Sequence, residues 1–304
     1  MTLVQIERNQ VTRSRRLVTL GLPLAALAAL VLLAACAPMA TLNAVVPGDG
    51  YRVESGVAYG EHPRHRLDIY TPQTAAAPAA GWPMVVFFYG GSWNSGERAG
   101  YKFLAQALAV RGVMVLVADY RLYPEVRYPD FLHDSARALA HGLEQAKRLQ
   151  ADPKRIFVMG HSAGAYNAAM LAFDPRWLAP TGHAPSELAG FIGLAGPYDF
   201  LPMTNPQTQP VFFHPNYPPN TQPLEHASRQ APRSFLGAPE SDRVVDPQRN
   251  TVGLADKLRS LGVPVEVHLY PRTSHVTLAG AFAAPLRWLA PVLPQVVAFI
   301  EARP

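Results

Sequence analysis

The chain has 304 residues, 49% of them hydrophobic and 16% charged, a balance that supports a sizeable folded core and excludes a disordered or fibrous chain. The formal charge is +5, but the first 35 residues hold four arginines (Arg8, Arg13, Arg15 and Arg16) against the single acid Glu7. The rest is close to neutral, which excludes a broad basic face for nucleic acid.

The N-terminus reads as a leader. A basic segment ending in Arg15-Arg16 is followed by an uncharged run over 17–35 and then by Cys36, the only cysteine in the chain. This is the order of a secretory signal. Leu33-Ala34-Ala35-Cys36 resembles the lipobox of bacterial lipoproteins, whose cysteine is acylated and becomes the new N-terminus. The expected organisation is a signal peptide over 1–36, a tether over 37–50 and one folded domain over 51–304. The alternative is an uncleaved single-pass anchor, because the run approaches the ~20 residues a span needs. Either reading places the protein in the bacterial cell envelope, held to the membrane by its N-terminus and, if lipid-anchored, facing the periplasm. One cysteine leaves no internal disulfide.

Residues 51–59 and 66–71 alternate as two strands, expected as a hairpin at a sheet edge. Residues 84–89 (Met-Val-Val-Phe-Phe-Tyr) are apolar throughout, as in a strand covered on both faces. A helix over 99–111 closed by Gly112 follows, then a strand over 113–118 and an amphipathic helix over 131–149. Residues 155–159 read as a strand, 165–172 as a helix of small residues and 190–195 as another strand. The stretch 197–233 holds nine prolines with little periodicity. It is too long for an ordinary connection, and its Phe212, Phe213 and Tyr217 suit a cap over the sheet. A strand over 234–236, a helix over 248–261, a strand over 263–270 and a helix over 285–298 complete the chain. Strands alternating with helices imply an α/β fold with a mainly parallel central sheet flanked by helices. No metal-ligand spacing such as H-E-x-x-H occurs, and no cofactor is implied.

Between the strand at 155–159 and the next helix lies Gly160-His161-Ser162-Ala163-Gly164. A G-x-S-x-G in this setting is a nucleophile elbow, a strained turn that pushes a serine hydroxyl out at the top of a sheet. Serine needs a base to take its proton, and the base needs an acid to orient it. His275, just after the strand at 263–270, is placed to reach back across the sheet. His268 lies inside that strand, His133 and His141 on a helix, and the remaining histidines in or near loops or, for His161, within the elbow. For the acid, Asp242 follows the strand at 234–236, and the Val244-Val245 pair anchors its loop. Asp246, which suits a helix N-cap, and Glu240 are the competitors. An oxyanion requires amides aimed at it beforehand. Ala163, after the serine, supplies one, and Gly91 and Ser92, after the strand at 84–89, supply the others.

Together these residues resemble the α/β-hydrolase superfamily, within it the esterase/lipase group related to hormone-sensitive lipase and bacterial carboxylesterases. Tyr89-Gly90-Gly91-Ser92-Trp93 is similar to that group's His-Gly-Gly-x motif, Asp119-Tyr120-Arg121-Leu122-Tyr123-Pro124-Glu125 to its Asp-Tyr-Arg-Leu-x-Pro-Glu loop, and Gly160–Gly164 to its elbow. The resemblance covers about residues 55–300. It implies an α/β-hydrolase fold with the Pro-rich 197–233 as a cap insertion, and a carboxylic-ester hydrolase working through a Ser162–His275–Asp242 triad on small or short-chain esters. Tyr89 departs from the group's histidine. The alternatives are another acyl hydrolase or transferase on the same groups, such as an arylformamidase or a carbohydrate deacetylase, and a catalytically inactive binding protein.

Overall fold

The computed structural model describes residues 38–302; the leader and Cys36 lie outside the described residues. Helix α1, Pro38–Ala44, belongs to a first unit, Met1–Val45, and everything that follows concerns the second, Val46–Pro304.

Uncharged, β-branched and aromatic segments form the middle of one sheet. Strands β3 (Trp82–Phe88), β4 (Met114–Ala118) and β6 (Gly190–Leu194) are buried along their whole length, as strands covered on both faces must be. With β1 (Tyr51–Ala58), β2 (Arg66–Pro72), β5 (Ala151–His161), β7 (Ser234–Pro239) and β8 (Val265–Tyr270) they form an eight-stranded sheet among the described residues, in the order β1-β2-β4-β3-β5-β6-β7-β8. β2 runs antiparallel to β1 and β4, and the other neighbours pair in parallel. The expected edge hairpin is therefore present. Tyr51 pairs with Pro72 while Leu67 pairs with Ala118, so β1 begins at the end of the sheet opposite the C-terminal ends of β3 to β8.

The helices are α2 (Lys102–Ala109), α3 (Asp130–Gln145), α4 (Ala163–Phe173), α5 (Pro223–His226), α6 (Gly253–Ser260), α7 (His275–Gly280) and α8 (Val292–Glu301). Every residue of α4 is buried, since it packs against β5, β6 and α3; its small side chains permit that approach. No described helix is long and apolar enough to cross a membrane.

Three elements in the last quarter of the chain differ from expectation. The helix over 285–298 is interrupted: a 3-10 helix, Ala284–Leu289, stops before α8, and Ala290 is extended at φ −158° and ψ 145°. Pro291 is the cause, because its ring disfavours helical dihedrals in the residue before it. The helix over 248–261 opens with a π-helical turn, Gln248–Val252, ahead of α6. His275 begins α7 rather than lying in a loop.

The stretch 197–233 leaves β6 and returns at β7. It forms a 3-10 turn, Gln209–Phe212, and α5. Phe212 packs edge-on to Trp93 at 4.9 Å between ring centres, and the Tyr166 hydroxyl donates to the Thr221 carbonyl at 2.9 Å.

Candidate active site

The sheet delivers its chemistry at the C-terminal ends of the parallel strands, where ligands bind in folds of this kind. β5 ends in His161, and Ser162 takes φ 53° and ψ −124° before α4 starts at Ala163. A non-glycine residue holds such dihedrals only when its surroundings impose them. Here the Ser162 amide donates to the Leu194 carbonyl at 2.9 Å, and the Ala165 and Tyr166 amides close the turn onto the Ser162 carbonyl at 2.9 and 3.1 Å. A Cβ at Gly160 would sit 2.1 Å from the Gly164 carbonyl oxygen, and one at Gly164 would sit 2.1 Å from that of Phe88. Both elbow glycines are thus required by the crossing of strand and helix.

β7 and β8 carry the partners. His275 Nε2 lies 2.7 Å from Ser162 Oγ, and its Nδ1 lies 2.7 Å from Asp242 Oδ2. The other carboxylate oxygen accepts from the Val244 and Val245 amides at 2.8 and 3.3 Å. The loop is therefore tied through the backbone amides of the Val-Val pair, and the Val244 side chain is 63% exposed. Burial opposes the charge on Asp242, yet the hydrogen bonds from His275, Val244 and Val245 outweigh it and hold the carboxyl below the usual range. Of the competitors, Asp246 accepts from the Gln248 and Arg249 amides at 2.8 and 3.1 Å, an N-terminal cap, and Glu240 is exposed.

Three successive residues after β3 turn with positive φ: Gly91 at 137°, Ser92 at 54° and Trp93 at 57°. The turn closes by the Asn94 and Ser95 amides donating to the Gly91 carbonyl, each at 3.0 Å. Its far end is tied to the elbow helix, where Trp93 Nε1 donates to Asn167 Oδ1 at 3.0 Å. The amides of Gly91, Ser92 and Ala163 donate to no acceptor among the described residues. Ser92 and Ala163 line the same cavity as Ser162.

Tyr89 supports this loop from below. Its hydroxyl accepts from Arg64 Nη2 at 2.6 Å, its carbonyl accepts from the Tyr120 hydroxyl at 2.8 Å, and its ring stacks on Tyr120 at 4.9 Å. Arg121, in the same motif as Tyr120, makes a two-pronged pair with the buried Asp134 at 2.8 Å on each arm. His65 Nε2 lies 3.0 Å from the same carboxylate. These groups brace the sheet rather than face the serine.

A cavity of about 360 Å³ opens over Ser162. Its lining includes the apolar Trp93, Phe200 and Met203 and the charged Arg243, Asp246 and Arg249. Tyr166 and Phe212 pack behind Trp93, at 5.2 and 4.9 Å between ring centres. Among the described residues no group of three or more His, Cys, Asp or Glu could hold a metal ion.

His161 occupies the variable position of the elbow, where the motif sets no requirement on the side chain. It is buried, with Nε2 2.8 Å from the His275 carbonyl oxygen. Burial, reinforced by the neighbouring His275, pushes its pKa down to about 3.

The BD-FAE family model matches residues 67–258. The chain belongs to that family. Among curated relatives of this BD-FAE protein, a probable isoprenylcysteine alpha-carbonyl methylesterase of Arabidopsis thaliana is 27% identical over 249 residues, covering 74% of the chain and 51% of the relative. The esterase LipC of Mycobacterium tuberculosis is 28% identical over 225 residues, covering 67% and 55%. The chain thus spans about half the length of these curated relatives. A bacterial heroin esterase superposes with a TM-score of 0.69 at 24% identity, covering 88% of this chain and 90% of its own. The BD-FAE protein therefore has the α/β-hydrolase fold of the esterase/lipase group.

Proposed function

We propose that this BD-FAE protein is a serine carboxylic-ester hydrolase. The observation that carries the reading is the unbroken line of hydrogen bonds from Ser162 Oγ through His275 to Asp242, 2.7 Å at each step. In it, Ser162 attacks the ester carbonyl while His275 Nε2 takes its proton. The new tetrahedral oxyanion is received by the amides of Gly91, Ser92 and Ala163. His275 then returns the proton to the departing alcohol, leaving an acyl-enzyme on Ser162. Water activated by the same imidazole hydrolyses the acyl-enzyme and releases the acid. Asp242 fixes the ring with Nε2 facing the serine and stabilises the imidazolium. The relatives named as esterases support the reaction class, and the cavity's size supports small or short-chain esters.

The test is labelling with a fluorophosphonate, followed by a chain-length series of p-nitrophenyl esters on protein lacking residues 1–36. Modification of Ser162 and turnover that falls with acyl length are expected. A folded protein left unmodified defeats the proposal, and faster turnover of formyl-kynurenine or acetylated sugars moves it to another acyl substrate. We further propose that Cys36 is lipidated and that the protein is held at the bacterial envelope.

A further inference from the structure

The elbow histidine has a determinate set of partners. His161 Nε2 is 2.8 Å from the backbone carbonyl oxygen of His275, and a carbonyl only accepts, so Nε2 carries the ring proton. Nδ1 then offers a lone pair, and the Tyr101 hydroxyl 3.3 Å away donates to it. The Tyr101 oxygen in turn accepts from the Gly90 amide at 3.3 Å. One orientation satisfies every atom: Gly90 N–H to Tyr101 O, Tyr101 O–H to His161 Nδ1, and His161 Nε2–H to the His275 carbonyl. The chain of bonds links the start of the 90–93 turn to the backbone of the histidine that faces Ser162.

The direction is fixed chemically. Burial holds the Tyr101 phenol proton in place, with its pKa pushed up to about 12, and the depressed pKa of His161 keeps that ring neutral. A protonated ring would put a donor on Nδ1, and Tyr101 would have to reverse. There is also a mechanical need. His275 is the first residue of a helix only six residues long, and so short a helix is not held by its own hydrogen bonds. Its N-cap, Ser274, is tied to Thr277, which secures the turn locally but not against the elbow.

We propose that Tyr101 and His161 are positioning residues, which pin the His275 backbone to the elbow strand and to the start of the 90–93 turn so that imidazole and oxyanion amides keep one geometry. Neither touches the substrate; each acts through a neighbour. The inference rests on the hydrolase reading above, because it assigns those groups a shared task.

Two measurements test it. In wild-type protein carrying 15N-labelled histidine, His161 is expected as the neutral Nε2–H tautomer from pH 5 to 8. An Nδ1–H tautomer, or titration of that ring within the range, overturns the proposal whether or not the protein turns over. In kinetics, Tyr101→Phe and His161→Leu are each expected to lower kcat on the order of 10-fold with KM within about twofold. His161→Gln, which keeps a donor near the Nε2 position, should recover part of the loss. Tyr101→Phe should add little once His161→Leu is present, because the two act in series. Wild-type kcat in folded His161→Leu, or no recovery with Gln, overturns the inference. Failure of the hydrolase reading appears elsewhere, as a wild type whose Ser162 takes no fluorophosphonate.

Discussion

His275 Nε2 stands 2.7 Å from Ser162 Oγ although 113 residues separate them along the chain. The parallel sheet makes this possible: β5 and β8 end on the same side, so a turn after each brings its side chain to a common edge. Replacing Ser162 or His275 by alanine should lower kcat on the order of 10³-fold or more while leaving the circular dichroism unchanged. Steady-state kinetics on a p-nitrophenyl ester checks both.

The acid assignment separates two nearby carboxylates. Asp242 faces His275 Nδ1, whereas Asp246 caps the turn that follows it. Asp242→Asn should cost on the order of 10³-fold or more in kcat, because the amide no longer selects the tautomer that leaves Nε2 free. Asp246→Asn keeps the capping oxygen and should change kcat by less than about threefold. Reversal of these two effects would reassign the acid.

Stability should fall in weak acid because of His161. Its folded pKa of about 3 lies below the model-peptide value of 6.5, so between these values the unfolded chain binds a proton that the folded chain refuses. The stabilisation is complete above pH 6.5 and is lost as pH drops toward 3, by about 2 kcal/mol at pH 5. His161→Gln removes that dependence. Urea midpoints at pH 7 and pH 5 should therefore differ less in the variant than in the wild type.

Gly164→Ala tests the elbow's steric logic. The added methyl would meet the Phe88 carbonyl oxygen at 2.1 Å, and neither β3 nor α4 can retreat without uncoupling the serine from its amides. A loss of about 3 kcal/mol or more is expected, read as a drop in the urea midpoint, with activity falling in parallel. Gly182→Ala is the contrast. It has open space around it but φ 81°, so its cost should stay near 1 kcal/mol.

Cys36→Ser should release the protein from the membrane fraction if the leader is a lipoprotein signal. Metabolic labelling with a fatty-acid analogue and fractionation of cells provide the readout. Full membrane retention with an unlabelled wild type would favour an uncleaved anchor instead.

Much of this architecture was written in short-range pattern. The apolar run at β3 read as a strand covered on both faces, those at β4 and β6 read as strands, and the elbow's glycines announced a strand meeting a helix. The juxtaposition of Ser162, Asp242 and His275 followed from chain order, since each falls just after a strand that ends at the same edge. What escaped depended on distant neighbours. Nothing near His161 signals burial, because its partners Tyr101 and His275 lie 60 and 114 residues away. The helix at His275 carried a local signal, Ser274 followed by Thr277, but with threonine where a capping box usually has Glu or Gln. The interruption at Ala290 was also local, and Pro291 marked it. Tyr89 could be flagged as unusual, yet its support from Arg64 and Tyr120 required the fold.

The antiparallel course of β2 fixes where the polypeptide enters the sheet of the second unit. Tyr51 begins β1 at the pole remote from Ser162, so a surface or carrier grafted onto that entry point leaves the mouth of the cavity unobstructed. Immobilised at Tyr51, the fold would turn the cavity over Ser162 outward, and a small molecule would reach it from bulk solution without crossing the support.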